Sequence, residues 1–310
     1  KGRPSDNPLI VHFADGMDGL KTVAADGQIP DVAMKLGKAF WPGPLSLCIK
    51  ANPSAVCATC RAGLDTVAVR VPDHPVALSL LKALGAGKGI AAPSANSSGR
   101  PSPTTAAHVL QDLGTGDLIA GVVDGGMLGC DVGLESTVVD CTSQPPTILR
   151  PGKVSREDLE KVLGYEVAVH GDQSVKADVG PKAPGMKYRH YAPKAELEIV
   201  DKGVAELIRR GNEAVAQGES LGIMAPQDVL QQIEQGLAGD ATVVLKRCGA
   251  SQDDLESIGR ELFGTLRDFD DVEGLTLILA LGASEHGIGA ALMNRLRKAA
   301  SKGQDCEPSA

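Results

Sequence analysis

The 310-residue chain is 43 % hydrophobic and 23 % charged with a formal net charge of −8, long enough for two domains that each bury a core. No run approaches the ~18 uncharged apolar residues of a membrane-spanning helix and no charged-then-apolar leader is present, so no membrane association is expected and the cytoplasm is the expected compartment. Aromatic residues make up 3 % of the chain, too few to supply a base-stacking platform for single-stranded RNA.

The acidity is uneven: residues 195–310 carry 11 Lys and Arg against 20 Asp and Glu, leaving 20 against 19 for residues 1–194. The N-terminal part is therefore the half that can focus positive potential on an anion. It opens with Lys1-Gly2-Arg3-Pro4 and continues through Asn7 and Pro8 into the apolar run Leu9-Ile10-Val11-His12. If the opening is extended, its period of two projects Lys1 and Arg3 to one side, where phosphate is the natural ligand. A solvated basic segment before a strand fits the same residues.

Farther along, Asp65–Val71 reads as a strand ending in Arg70, and Val76–Leu84 as a helix. Gly89-Ile90-Ala91-Ala92 reads as a short buried strand running into the hydroxyl- and amide-rich loop 93–104, with Ser94 and Asn96 two residues apart. Ordinary turn chemistry is the competing reading of that loop. Thr104–Leu113 reads as a helix and Ser136–Asp140 as a strand, which makes residues 1–163 one α/β domain. Residues 164–194 read as a linker whose core, Pro184-Gly185-Met186-Lys187-Tyr188-Arg189-His190-Tyr191, is too rich in donors and rings for a plain spacer.

From residue 195, strands at 197–200, 220–224, 242–245 and 275–279 alternate with helices near 203–217, 226–237, 253–269 and 288–300, a smaller Rossmann-like parallel α/β domain ending near 302 before a tail at 303–310. It has no Gly-x-Gly-x-x-Gly after its first strand and the chain has no Gly-x-x-x-x-Gly-Lys-Ser/Thr, so any ATP is bound by another route. Seven cysteines are scattered, with only Cys57 and Cys60 closely spaced. One Cys-x-x-Cys without a second pair or nearby histidines assigns neither zinc nor redox chemistry, and no metal site is expected.

Together, Lys1-x-Arg3, Asn7–His12, Trp41-Pro42-Gly43-Pro44-Leu45-Ser46, Ser94-x-Asn96, Glu135–Asp140 and Ile148-Leu149-Arg150-Pro151-Gly152 resemble the YrdC-type threonylcarbamoyl-AMP synthases, in that family's order. Residues 183–193 resemble the linker of its long two-domain form, and Met293–Ala300 its C-terminal signature. The family pattern opens with a strand and a Thr-x-x-Tyr-Gly-Leu-Gly type segment that does not occur here, so an N-terminally truncated sequence is expected.

The resemblance implies a YrdC-like twisted mixed sheet with flanking helices, and a nucleotidyltransferase joining L-threonine, bicarbonate and ATP into threonylcarbamoyl-AMP and pyrophosphate. Mg²⁺ would accompany ATP, and a downstream transferase would pass the product to tRNA, with at most weak tRNA contact by this chain. Such chemistry needs no covalent enzyme nucleophile; it needs reactants held in line and charge neutralised. By resemblance, Lys1, Arg3, Ser94 and Asn96 are the catalytic group. ATP falls to Arg3, Asn7, Thr66, Asn96, Thr104, Arg150 and a lid of Tyr188, Arg189 and His190. L-threonine falls to His12, Arg70, Ser94 and Ser136. Arg70 suits a bidentate pair with an amino-acid carboxylate, against the alternative of a surface ion pair, and His12 is either a ligand or a satisfied core histidine. A carbamoyl-transfer enzyme of hydrogenase maturation is disfavoured because no acylphosphatase or zinc-finger region is visible. A non-catalytic nucleotide- or RNA-binding module is the remaining rival.

Overall fold

The computed structural model describes residues 1–114, 116, 119–126, 133–171, 190–238 and 243–300. In chain order the elements begin with β1 (Ile10–His12), α1 (Met17–Val23), α2 (Asp31–Phe40), β2 (Leu45–Lys50), α3 (Ala58–Arg61), β3 (Thr66–Arg70), α4 (Pro75–Ala83) and β4 (Ile90–Ala92). They continue with α5 (Ala106–Leu113), β5 (Thr137–Asp140), β6 (Thr147–Arg150), α6 (Arg156–Leu163) and β7 (Ala168–Val169). The last eight are β8 (Glu196–Val200), α7 (Gly203–Ala216), β9 (Leu221–Ala225), α8 (Gln227–Gly236), β10 (Val244–Arg247), α9 (Leu255–Asp270), β11 (Leu277–Leu281) and α10 (Ile288–Ala300).

These elements form two compact units, residues 2–94 with 135–187, and residues 1, 95–134 and 188–310. The division is not a single cut near residue 163, because residues 95–134 group with the C-terminal part of the chain. The reason is a buried ion network. Arg267 of α9 donates to Asp112 of α5 at 2.8 Å and to the Pro101 carbonyl at 2.7 Å, while Arg100 bridges Asp112 and Asp270 at 2.7 and 3.1 Å. Burial pushes the Asp112 carboxyl up, but Arg267, the Ser97 N–H and Arg100 together hold it below the usual carboxylate range.

In the first unit the seven-stranded sheet has the order β4-β1-β3-β2-β5-β6-β7 and mixes parallel pairs, such as β1 with β3 and β2 with β5, with antiparallel ones. Strand alternation sorts its side chains. Val11, Leu47, Ile49, Val67, Val69, Val139 and Ile148 face a core filled by Leu20 and Val23 of α1, Ala33 and Leu36 of α2, and Leu159 and Leu163 of α6. The helical residues recur at i, i+3 or i, i+4, the spacing of one apolar stripe. At α6 a capping box, with Ser155 and Asp158 bonding each other's backbone N–H, fixes where the helix starts. The opposite sheet face carries a separate small patch, Ile10, Cys48, Ala68, Val138 and Leu149, to which no helical residue belongs.

The second unit holds a four-stranded, wholly parallel sheet ordered β10-β9-β11-β8. Its central strands are buried throughout, Leu221–Ala225 and Leu277–Leu281. Helices cover both faces: Leu207 and Ala214 of α7 with Val229 and Ile233 of α8 on one, Leu262, Phe263 and Leu266 of α9 with Leu292 and Leu296 of α10 on the other. Two strands start about two residues later than the sequence suggests, at Val244 and Leu277, because a continuous apolar run carries no period-two marker for its ends. The segment read as a linker also contains β7, which pairs in parallel with β6. No helix among the described residues is long and apolar enough to cross a membrane.

Candidate active site

The face of the seven-stranded sheet opposite α1, α2 and α6 positions most of the predicted polar residues of its unit. In register, His12 of β1 lies beside Arg70 of β3, and Arg70 beside Ser46 of β2. Three residues from distant parts of the chain thus form one row across neighbouring strands, about 10 Å wide at the ~4.8 Å strand spacing. The row continues through Val138 of β5, which pairs with Arg150 of β6 at an irregularity in the ladder. Ser136, two residues before Val138, points the same way, and its Oγ lies 2.8 Å from Ser46 Oγ.

Arg70, Arg150 and His12 are each held by a backbone carbonyl. Arg70 Nε donates to the Gly43 carbonyl at 3.0 Å, fixing the plane of the guanidinium, and Nη2 stands 3.9 Å from Asp73. Arg150 donates to the Ser136 carbonyl through Nε at 3.1 Å and Nη2 at 2.9 Å, and through Nη2 to Ser136 Oγ at 3.1 Å. Gly152 makes that possible: a Cβ there would sit 2.2 Å from the Thr137 nitrogen and 2.6 Å from the Ser136 carbonyl carbon, so the Arg150-Pro151-Gly152 string needs its glycine for close approach.

His12 Nδ1 is 3.4 Å from the Ile90 carbonyl, and since a carbonyl only accepts, Nδ1 carries the proton and Nε2 presents a lone pair. Burial, followed by the charge of Arg70, lowers this imidazole to about 4, so it is neutral at physiological pH. Arg3 donates to the Asn7 and Pro8 carbonyls at 3.2 and 2.7 Å. Burial and then the charge of Arg150 lower Arg3 below the usual guanidinium range, which records two cations placed near each other. Such a pair suits a polyanion.

Other expectations are met differently. Lys1 and Arg3 do not alternate along a strand: β1 starts at Ile10 and Gly2 between them adopts φ +67°, which no extended segment has. Lys1 belongs to the second unit, where its ammonium donates to the Asn96 carbonyl. Asn7 is buried and serves Arg3 through its main-chain carbonyl. Thr66 shares the face of Arg70 but starts the same strand, about 13 Å away at ~3.3 Å per residue, next to Lys50. Ser94 is exposed just beyond β4, whereas Asn96 is buried in the second unit with both amide protons used on its own loop, at the Ser97 and Arg100 carbonyls, 2.8 and 3.0 Å. Thr104, also in that unit, bonds His108 Nδ1 through N and Oγ1 at 3.2 Å each. His190 stacks at 5.6 Å on Tyr191, and Tyr188 and Arg189 lie outside the described residues. Sequence reading overlooked Ser46 as a site residue; its signal was a hydroxyl out of phase with Leu45, Leu47 and Ile49 in an otherwise apolar strand.

Residues 1–152 match the Sua5–YciO–YrdC family model, described as "Telomere recombination", and residues 154–301 match "Threonylcarbamoyl-AMP synthase, C-terminal domain". The threonylcarbamoyl-AMP synthase of Bacillus subtilis is 42 % identical over 301 residues, 97 % of this chain and 81 % of the relative. That of Pyrococcus abyssi is 42 % identical over 299 residues, 96 % and 82 % of the two chains. The crystal structure of P. abyssi Sua5 complexed with L-threonine superposes with a TM-score of 0.81 at 42 % identity, covering 97 % of this chain and 82 % of that one. The chain therefore belongs to the threonylcarbamoyl-AMP synthase family, in its long two-domain form.

Proposed function

We propose that this chain is a nucleotidyltransferase that converts L-threonine, bicarbonate and ATP into threonylcarbamoyl-AMP, pyrophosphate and water. The observation that carries the reading is the row of His12, Arg70 and Ser46, with Ser136 and Arg150 beside it, on the sheet face opposite α1, α2 and α6. Arg70, with its guanidinium plane set by Gly43, takes the threonine carboxylate, a planar anion that a fork of N–H groups matches and an ammonium does not. Neutral His12 offers Nε2 as an acceptor for the threonine ammonium or hydroxyl. The linked Ser46 and Ser136 hydroxyls supply further hydrogen bonds in the same row.

Once the threonine nitrogen has added to bicarbonate with loss of water, a carbamate oxygen attacks the α-phosphorus of ATP and pyrophosphate departs. Charge moves onto the triphosphate oxygens, and Arg3 and Arg150 are the cations of this unit suited to offset it. Mg²⁺ is assigned to the substrate, entering on the phosphates of ATP, where it needs few protein ligands. Lys1, Asn96, Thr104 and the Tyr188-Arg189-His190 segment are assigned to the nucleotide by motif order. A downstream transferase that moves the threonylcarbamoyl group to tRNA is the consumer of the product.

The test is pyrophosphate release by the full-length protein with MgATP and bicarbonate, each amino acid supplied in turn. Release that depends on threonine and falls in Arg70→Ala mainly through a higher KM for threonine is the expected result. Binding of ATP with no pyrophosphate formed under any amino acid would overturn the reading in favour of a non-catalytic nucleotide-binding module.

A further inference from the structure

The Cys57-Ala58-Thr59-Cys60 turn has no place in the adenylation chemistry, and its geometry differs from that of the chain's other described thiols. Cys57 precedes α3 and is exposed, Cys60 ends three residues later with its side chain partly packed on the core, and the two Sγ atoms are in hydrogen-bond contact at 3.4 Å. A disulfide needs sulfurs ~2.05 Å apart, so the two thiols already lie within a short approach of bonding distance. The turn itself is tightly held: the Arg61 N–H donates to the Cys57 carbonyl at 3.3 Å and the Gly63 N–H to the Ala58 carbonyl at 2.9 Å. By contrast Cys48, Cys141 and Cys248 are buried.

We propose that Cys57 and Cys60 form a redox-active dithiol site whose substrate is a low-molecular-weight disulfide, with Cys57 as the attacking thiol and Cys60 as the resolving one. The Cys57 thiolate attacks one sulfur of the disulfide RSSR, forming a Cys57–S–S–R bond and releasing RS⁻. The Cys60 thiolate then attacks Cys57 Sγ, forming the intramolecular disulfide and releasing the second RS⁻. The two thiol protons leave on the products, so the balance is protein dithiol plus RSSR to protein disulfide plus two RSH.

Accessibility and electrostatics agree on which thiol attacks. The Cys60 backbone N–H, and after it the Cys60 thiol, hold the exposed Cys57 below the ordinary thiol range, while burial and then Cys57 push Cys60 up. Burial also raises Cys141, and raises Cys248 to about 12, which makes both internal controls unreactive. The Cys60 carbonyl accepts the Leu9 N–H at 2.9 Å, so the site sits at the base of the strand that carries His12.

The experiment equilibrates the full chain with reduced and oxidised glutathione, traps free thiols by alkylation and maps the peptides by mass spectrometry. The expected result is a Cys57–Cys60 disulfide that dithiothreitol reverses, with Cys57 alkylated at least about tenfold faster than Cys141 or Cys248 at pH 7. Cys60→Ser should accumulate the glutathione adduct on Cys57, and Cys57→Ser should abolish reaction at position 60, both leaving basal activity unchanged. Full alkylation of both thiols in excess oxidised glutathione would overturn the proposal, as would a stable glutathione adduct in the unmodified protein without ring closure.

Discussion

The two sheets of this chain treat their faces differently. In the four-stranded sheet, Leu221–Ala225 and Leu277–Leu281 are buried on both sides because α7 and α8 cover one face and α9 and α10 the other. In the seven-stranded sheet, α1, α2 and α6 cover one face, and the other holds His12, Ser46, Arg70, Ser136 and Arg150 around a small apolar patch. A parallel sheet covered twice spends every side chain on packing. The seven-stranded sheet instead lines up polar side chains at ~4.8 Å spacing on its second face, and that row is the proposed threonine site.

That contrast can be broken from either side. In the four-stranded unit the largest loss should come from Arg267→Ala, which leaves buried Asp112 with Arg100 as its remaining cation besides the Ser97 N–H, and the Pro101 carbonyl without its donor; about 3–5 kcal/mol of stability should disappear in a urea melt. Leu279→Ala in β11, fully buried, should cost about 2–5 kcal/mol by the cavity it opens. If either left the melt unchanged, that sheet would not be the packing element described.

On the seven-stranded side, pH is the sharper probe. Because the folded His12 titrates near 4 and an unfolded one near 6.5, the unfolded chain binds the extra proton between those values. Its contribution to stability is intact above pH 6.5 and should fall by up to about 3 kcal/mol as pH drops to 4. Urea melts of the parent and of His12→Gln across that window should diverge in slope, and parallel curves would refute the burial of a neutral imidazole. Arg70→Ala should separate function from stability: kcat/KM for threonine falling roughly 100-fold, mainly through KM, from loss of a charged bidentate contact, with only about 1 kcal/mol of stability lost with the Gly43 bond. The smallest effect belongs to Ser46→Ala, about 1 kcal/mol for the hydroxyl shared with Ser136, read as a shift in melt midpoint.

Much of this was written locally in the chain. The four helices of the C-terminal half lie within a few residues of their expected positions, since amphipathic stripes and turn residues act over a few residues. Arg70 at the end of an apolar strand was equally legible. Elsewhere local pattern was silent or misleading. The positive φ of Gly2 removes the alternation that would have aligned Lys1 with Arg3, and the inward amide of Asn96 separates it from the exposed Ser94 two residues before. The membership of residues 95–134 was hidden because it depends on Asp112 finding Arg267, 155 residues away.

By itself, then, the amino-acid sequence determined the alternating elements of the C-terminal half and a part of those in the N-terminal half. Periodicity, caps and turn chemistry are properties of neighbouring residues, while β7 inside the expected linker needed its partner β6. Only the tertiary structure decided that β3 lies between β1 and β2, so that His12, Arg70 and Ser46 come into one row. Strand neighbours and register are selected by which faces can be buried together across the whole unit, and no stretch of a few residues contains that information.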